Sequence, residues 1–583
     1  MAAVLLLFGC DGPGSSGLLE TDPGEVRVTT ETTGSNVDAD GYRVSVPERE
    51  EATAIGVDET RVVDGLGSSR PEVELNGIAE HCTVKGQNPR RPTAEADSEA
   101  AITFRVRCRT DNTVYIDTQA DFDQYKDSTF AAGTQILFKE GAIFNGQFRP
   151  GGSGTADAPI TVAAYDPESG TVYTDWIDNK PIINGQGDVL RAVYLHSVEF
   201  WEVRNLEVTN TSGSVQNQGD LRGIHVVAED MGVAEHIVIE HCYVHDVNGR
   251  VAGKQRGGIH FNSDGANTRF DDVQILNNVI ENVGGVGIGN QSSESQFNPG
   301  DDGYIPWTNM VIRGNRIVNT GRNSIIFRYS DSTIVEHNTS VRSSLYGTGH
   351  SIVNFNTEDA IVQYNEAYGN TGRFTDNERG GYDADYNSVG TVIQYNYSHD
   401  NHWFCGIMRR GINEDVTIRY NVSQDELVGS YLYGFPSETG LENVKVYNNV
   451  HYFSDYIDGR IFVGAGRTRT PIETVFANNI WYFEGEGKIG QEPGNSTVFR
   501  ENLFYNVEPP GGTYLTDDPL FVNPGAGGTD IDMTAPDRLS GYELQPASPA
   551  IDAGTTVENN GGRDFWGNPL YNGTPDIGAY EAP

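Results

Sequence analysis

From residue 112 onward the apolar positions recur in a short repeated phrase. The runs IVIEHCYV, VQILNNVI, MVIRGNRI, TIVEHNTS, AIVQYNEA, TVIQYNYS, VTIRYNVS, KVYNNVHY, VFANNIWY and VFRENLFY align on a shared I-x-x-N pattern. One column then holds Cys242 followed by Asn278, Asn315, Asn338, Asn365, Asn396, Asn421, Asn449, Asn479 and Asn502, at intervals of 23 to 37 residues. That period is one turn of a solenoid of parallel strands, with variable loops absorbing the differences in length. Coils stack ~4.8 Å apart, so each Asn at a bend falls over the one below, and the amides can bond along the axis. Each such bond contributes ~1 kcal/mol net, which gives the column a structural role. Cys242 reads as a small apolar side chain in the same slot, and FWEVRNLEV carries Asn205 in shifted phase.

Upstream the pattern differs. Residues 26–110 alternate polar and apolar positions in short runs (EVRVTTETTG, GYRVSVPERE, ITFRVRC) separated by Gly, Asn and Pro, which predicts a small β-sandwich acting as a spacer. Residues 11–25 are a Gly/Ser/acidic tether. Composition supports strands and turns: of 583 residues, 69 are Gly, 28 Tyr and 24 Phe. With 82 acidic against 40 basic side chains the net charge is −42, a field that repels phosphates and makes nucleic acid or an anionic membrane surface an unfavourable partner. No later stretch approaches the ~18 apolar residues of a membrane span.

The first residues, MAAVLLLFGC, resemble the end of a bacterial lipoprotein signal, with Cys10 in the position that carries the lipid. That resemblance implies an exported chain, periplasmic or on the cell surface, touching a membrane only through its N-terminal lipid. Of the four remaining cysteines, Cys82 and Cys108 lie in one small segment where a disulfide is plausible, and Cys242 and Cys405 read as buried thiols. Residues 26–110 are similar to the Ig-like modules that follow lipoprotein tethers, whose paired cysteines would correspond to Cys82 and Cys108.

The segment GTQILFKEGAIFNGQFRPGGSGTADAPITVAAY, PIINGQG and the Asn coils resemble the right-handed parallel β-helix, pectate-lyase-like carbohydrate-active enzymes. GGYDADYNSVGTVIQYNYSHDN (380–401) is similar to a recurrent segment of bacterial β-helix glycosidases. DPLF, SPAIDAG, RDFWGNPL and PDIGAYE, within about 515–583, resemble the closing segment of exported β-helix proteins. The expected fold is all-β: residues 1–10 signal-like, 11–25 tether, 26–110 sandwich and 112–583 β-helix. Such a scaffold hosts lyases, hydrolases and adhesins, so the reaction has to be argued from the site.

A second set of runs precedes each Asn bend, and period-2 alternation assigns its faces. Ile224, Ile259, Phe327, Phe355, Tyr382 and Ala384 are expected to point inward, and His225, His260, Asn262, Gln291, Arg328, Asn354, Asn356, Asp383, Asp385 and Arg409 outward. This mixture suits a groove for a hydroxyl-rich polymer. Asp383 and Asp385, at i and i+2, would place their Cβ atoms ~7 Å apart on one face. Rotation of the side chains spans both the ~5.5 Å of retaining glycosidases and the ~6.5–9.5 Å of inverting ones. One would be nucleophile or base and the other, its pKa raised by its neighbour, the acid. Glu378 is a reserve acid, Trp403 either a sugar platform or a packed end of the groove, and Lys254, His260, Asn262, Arg328, Asn356 and Arg409 candidate substrate contacts. The same aspartates could instead hold Ca²⁺ in a lyase acting on a uronate, with Lys254, Arg328 or His260 as base, or be surface groups of a non-catalytic adhesin. A hydrolase requires no cofactor. The expected partner is a polysaccharide or oligosaccharide, and the chain is expected to be a monomer.

Overall fold

The structure is a computed structural model. It describes the chain apart from residues 1–23, 35–36, 48, 50, 67–70, 80–81, 93–99, 109–111, 214–218, 373–377, 408–412, 434–440, 465–473, 494–495 and 572. Cys10 and Arg409 lie outside the described residues. The chain divides into two compact units, one of residues 1–113 with 168–170, the other of 114–167 with 171–583.

In the first unit, strands Thr60–Leu66, Gly24–Thr33, Ala100–Cys108 and Cys82–Val84 form one sheet, and Thr53–Ile55, Tyr42–Ser45 and Glu74–Asn76 a second. Val26, Val28 and Phe104 of the first sheet share a core with Tyr42, Val44 and Leu75 of the second. Cys82 and Cys108 are joined by a disulfide and face each other on adjacent antiparallel strands. The bridge therefore lies within one sheet, unlike the inter-sheet bridge of antibody domains.

The second unit is a parallel β-helix. Its described strands form parallel sheets of 14, 14 and 11 strands and a further short parallel sheet of 4, each strand paired with its counterpart one coil on. A short helix, Gln119–Tyr125, closes the first coil. Thr118 and Asp121 form its capping box, and Phe122 packs on Phe138, Phe144 and Phe148.

The Asn column is a continuous ladder. The backbone N–H and Nδ2 of Asn278 both donate to Asn315 Oδ1, at 3.0 and 2.9 Å, and the pattern repeats through Asn338, Asn365, Asn396, Asn421, Asn449 and Asn479 to Asn502. The residue before each rung takes the left-handed conformation, as at His337 (φ 55°), Tyr364 (52°), Tyr395 (55°) and Tyr420 (48°). That geometry costs a non-glycine residue ~1 kcal/mol or more, which the two amide bonds of each rung offset. Cys242 occupies the rung below Asn278, and its N–H donates to Asn278 Oδ1 at 2.9 Å. Asn205 is one residue out of phase: Leu206 lies in line with Cys242, and the Asn205 amide instead binds the carbonyls of Tyr173 and Asp175.

From about residue 515 the chain runs back along the outside of the coils. Phe521, Ile531, Leu539 and Tyr542 pack on Tyr397, Val422 and Val450, and Asp530 pairs with Arg316. The closing segment thus covers coil surfaces rather than adding rungs.

Candidate active site

The 11-stranded sheet carries the candidate residues. Its inward column reads Ile224, Ile259, Ile288, Ile325, Ile352, Tyr382, Cys405, Tyr431. The neighbouring outward column reads Tyr194, His225, His260, Gly289, Ile326, Val353, Asp383, Gly406, Leu432. Asp383 therefore faces out from the strand Gly380–Ala384, with Val353 one coil before it and Gly406 one coil after. Gly406 is required there: a Cβ at that position would lie 2.5 Å from Asp383 Oδ1.

Although it faces out, Asp383 is only 2% exposed. Around it the sheet presents Ile326, Val353, Leu432 and Trp403, all buried. This apolar floor desolvates the carboxyl and raises its pKa well above the usual range; Asp385 and then Glu378 add like charge in the same direction, and Lys254 opposes them. Asp385 follows two residues on, its N–H bonded to Asn354 O at 3.2 Å and its carbonyl accepting from Ser388 Oγ at 2.6 Å.

Among the described residues, the imidazole beside Asp383 is one that strand periodicity does not reveal. His350 Nε2 is 3.4 Å from Asp383 Oδ2, and both side chains are almost fully buried. His350 Nδ1 accepts the Gly380 N–H at 3.0 Å and lies 3.4 Å from Trp403 Nε1. Burial lowers its pKa to about 4, with Glu378 opposing and Lys254 adding to the shift, so the ring is neutral near pH 7. With Nδ1 occupied as an acceptor, the proton sits on Nε2, which lies near Asp383 without forming a hydrogen bond to it. His350 comes from the loop segment TGH, which carries no alternation, so only the spatial neighbourhood identifies it.

Glu378 is held apart electrically. Burial acts to raise its pKa, but Lys254, His350, Arg322 and a bond from Thr348 lower it overall. Lys254 Nζ lies 3.5 Å from Glu378 Oε2, and Thr348 Oγ1 donates to the same oxygen at 3.2 Å. The site thus joins a carboxyl whose pKa is raised to one whose pKa is lowered, the separation that acid and base roles require.

Several expected contacts are employed inside the protein. Arg328 is 7% exposed; its Nη1 donates to Asn290 O at 2.8 Å and Gln291 Oε1 at 3.0 Å, and burial lowers its pKa to about 10. His260 is buried outright and Asn262 half-buried. Asn262 Oδ1 lies 3.0 Å from both His225 Nε2 and His260 Nδ1, while Arg191 Nε donates to His225 Nδ1 at 2.8 Å. Trp403 is 3% exposed and packs with Leu432, so it is part of the floor and not an open platform. Asn354 and Phe355 reverse the expected alternation. Asn354 is in register with the inward-facing Phe327 and Ala384, its Nδ2 donating to Thr357 and Thr391, while Phe355 is half-buried on the outer side. Asn356 forms the bend after that strand (φ 59°), and its Nδ2 donates to Phe297 O. The His-Asp pairs at 245–246 and 399–400 are turn chemistry: in each the His binds its neighbouring Asp at 2.8 Å and a Glu one coil below. Among the described residues no group of three or more His, Cys, Asp or Glu side chains is arranged to hold a metal ion.

With this geometry in place, comparisons bear on the reading. No known family profile matches the chain. It is 26% identical over 560 residues to a lacto-N-biosidase of Bifidobacterium longum subsp. longum, an alignment covering 78% of this chain and 34% of that protein, so the chain spans about a third of the length of this curated relative. Among solved structures, the selenomethionine derivative of a GH136 lacto-N-biosidase from Eubacterium ramulus superposes with a TM-score of 0.50 at 21% identity, over 64% of this chain and 67% of that one. The pectate lyase Pel9A gives a TM-score of 0.34 at 14% identity, over 78% of this chain and 89% of that one. The likeness to the Eubacterium ramulus structure agrees with the parallel β-helix seen here and says nothing about the reaction.

Proposed function

We propose that this protein is a glycoside hydrolase that cleaves an oligosaccharide, with Asp383 as the carboxyl on which cleavage turns. The observation that carries the proposal is the setting of Asp383: an outward carboxyl on an apolar floor, beside Asp385 and Glu378, whose pKa burial and like charge raise well above the usual carboxylate range. Such a group is equipped to protonate the leaving glycosidic oxygen. Asp385, two residues on and just past the end of the strand, is the second carboxylate, attacking the sugar carbon or activating water. His350 positions Asp383, and Lys254 keeps Glu378 ionised. Because Asp383 is so little exposed, productive binding has to displace the groups that cover it. The similarity to lacto-N-biosidase supports hydrolysis of an oligosaccharide.

A lyase is disfavoured by how the cations are used. Lys254 is committed to Glu378, and Arg328 donates to protein oxygens, so neither is available to neutralise a uronate while another group removes its proton. We further infer export, as the Cys82–Cys108 disulfide supports, and lipid attachment at Cys10. The test is incubation with oligosaccharides and with an aryl glycoside of the disaccharide for which the relatives are named. New reducing ends without ultraviolet absorbance are expected, whereas unsaturated products would overturn hydrolysis.

A further inference from the structure

The residues that precede the Asn rungs form a column of their own. In its middle stand aromatic rings: His337 stacks on Tyr364 with centroids 5.2 Å apart and planes within 5°, Tyr364 on Tyr395 at 5.1 Å, and Tyr395 on Tyr420 at 6.0 Å. One coil before His337 the column holds Gly314 (φ 69°), and one coil before that Asn277. The stack therefore ends at His337, and where the next ring would lie there is a cavity of about 390 Å³ lined by His337, Gly314, Asn277, Arg313, Asp532 and Thr534, among others.

The dimensions and chemistry of this gap are specific. Two coils separate the backbones of Asn277 and His337, ~10 Å, and with no side chain on Gly314 between them the cavity opens beside the His337 ring. Asn277 Oδ1 lies where a side chain on Gly314 would begin, 2.2 Å from that Cβ position, so its amide reaches into the Gly314 layer and lines the inner wall of the cavity. The far wall is the returning C-terminal segment, fixed by the Arg316–Asp530 pair and by the Ile531 N–H on Glu366 Oε2 at 3.0 Å. A flat ring facing amide, hydroxyl and carboxylate groups suits a sugar, whose CH face packs on the ring while its hydroxyls bond to the polar groups. Local charge is close to balanced, since Arg313 is paired with Glu336 at 2.7 Å. Burial lowers the His337 pKa, so its ring is neutral near pH 7.

We propose that this cavity is a second saccharide site, which takes a neutral sugar unit stacked on the open face of His337. It lies at the bend between the two 14-stranded sheets, apart from Asp383, and holds a glycan without cleaving it.

The test is calorimetric titration of the full chain carrying Asp383→Asn with lactose, N-acetyllactosamine, cellobiose and maltose. At least one should bind saturably, and both His337→Ala and Thr534→Trp, the latter filling the cavity from an exposed position, should weaken that binding about tenfold or more, a loss of ~1.4 kcal/mol. In an otherwise unaltered protein, Thr534→Trp should leave hydrolysis of the aryl glycoside unchanged, which separates this site from the proposed reaction. Absence of saturable binding by all four sugars, or binding that Thr534→Trp does not affect, would overturn the proposal even if hydrolysis is observed.

Discussion

At the scale of single residues, the central feature is a carboxyl whose pKa is raised by its surroundings, and this has consequences for both stability and rate. Asp383 titrates higher in the folded protein than in the unfolded chain, where an Asp has a pKa of ~3.9. Between those two values the folded state retains a proton that the unfolded state has lost, so stability declines as pH rises through that window. Asp383→Asn removes the decline. The variant should melt higher than wild type at pH 7–8, with the gap closing toward pH 4, as differential scanning calorimetry can measure; a variant that melts lower across the whole range would show that the carboxyl is not destabilised. A second outcome concerns Glu378. Its negative charge raises the Asp383 pKa, and it also occupies Lys254, whose charge lowers it. Glu378→Gln should therefore shift the alkaline limb of the kcat/KM profile to lower pH; a shift upward, or none, would contradict the assignment of that limb to Asp383.

Rungs and strands show how far the sequence could be read. The Asn column was legible because each rung repeats one solution to one bend, and the structure adds its detail: two donors per rung converging on one oxygen. Asn338→Ala would leave the donors of Asn315 and a buried carbonyl without partners, at a cost of ~2–4 kcal/mol, seen as a lower denaturation midpoint. Cys242→Asn should be neutral or stabilising. The column already supplies Asn278 Oδ1 to its N–H, and Sγ sits 3.8 Å from Val203 O, the acceptor equivalent to Ile239 O for Asn278. Loss of more than ~1 kcal/mol in Cys242→Asn would mean that the slot selects for apolarity. Alternation placed Asp383 on the outer face correctly because its neighbours Tyr382 and Ala384 are unambiguous. It failed at Asn354 and Phe355, where apolarity suggested the wrong face: the interior accepts an Asn whose amide finds Thr357 and Thr391. His350 was beyond reach for a different reason, since a loop residue has no period and becomes relevant only when the coils stack.

For the molecule as a whole, the β-helix is a rigid support that turns a run of short strands into aligned columns, and function depends on what a few columns present. The apolar column through Ile326 and Val353 reaches Asp383, then Gly406, whose missing side chain gives the carboxyl room. The returning C-terminal segment covers another side of the coils and encloses the His337 cavity. The account is tested most directly by the turnover of the aryl disaccharide by wild type and Asp383→Asn, with circular dichroism confirming the fold of each. It predicts release of the aryl group by wild type and a fall of ~10²–10⁴-fold or more in the variant. Undiminished turnover by a folded Asp383→Asn protein would contradict it.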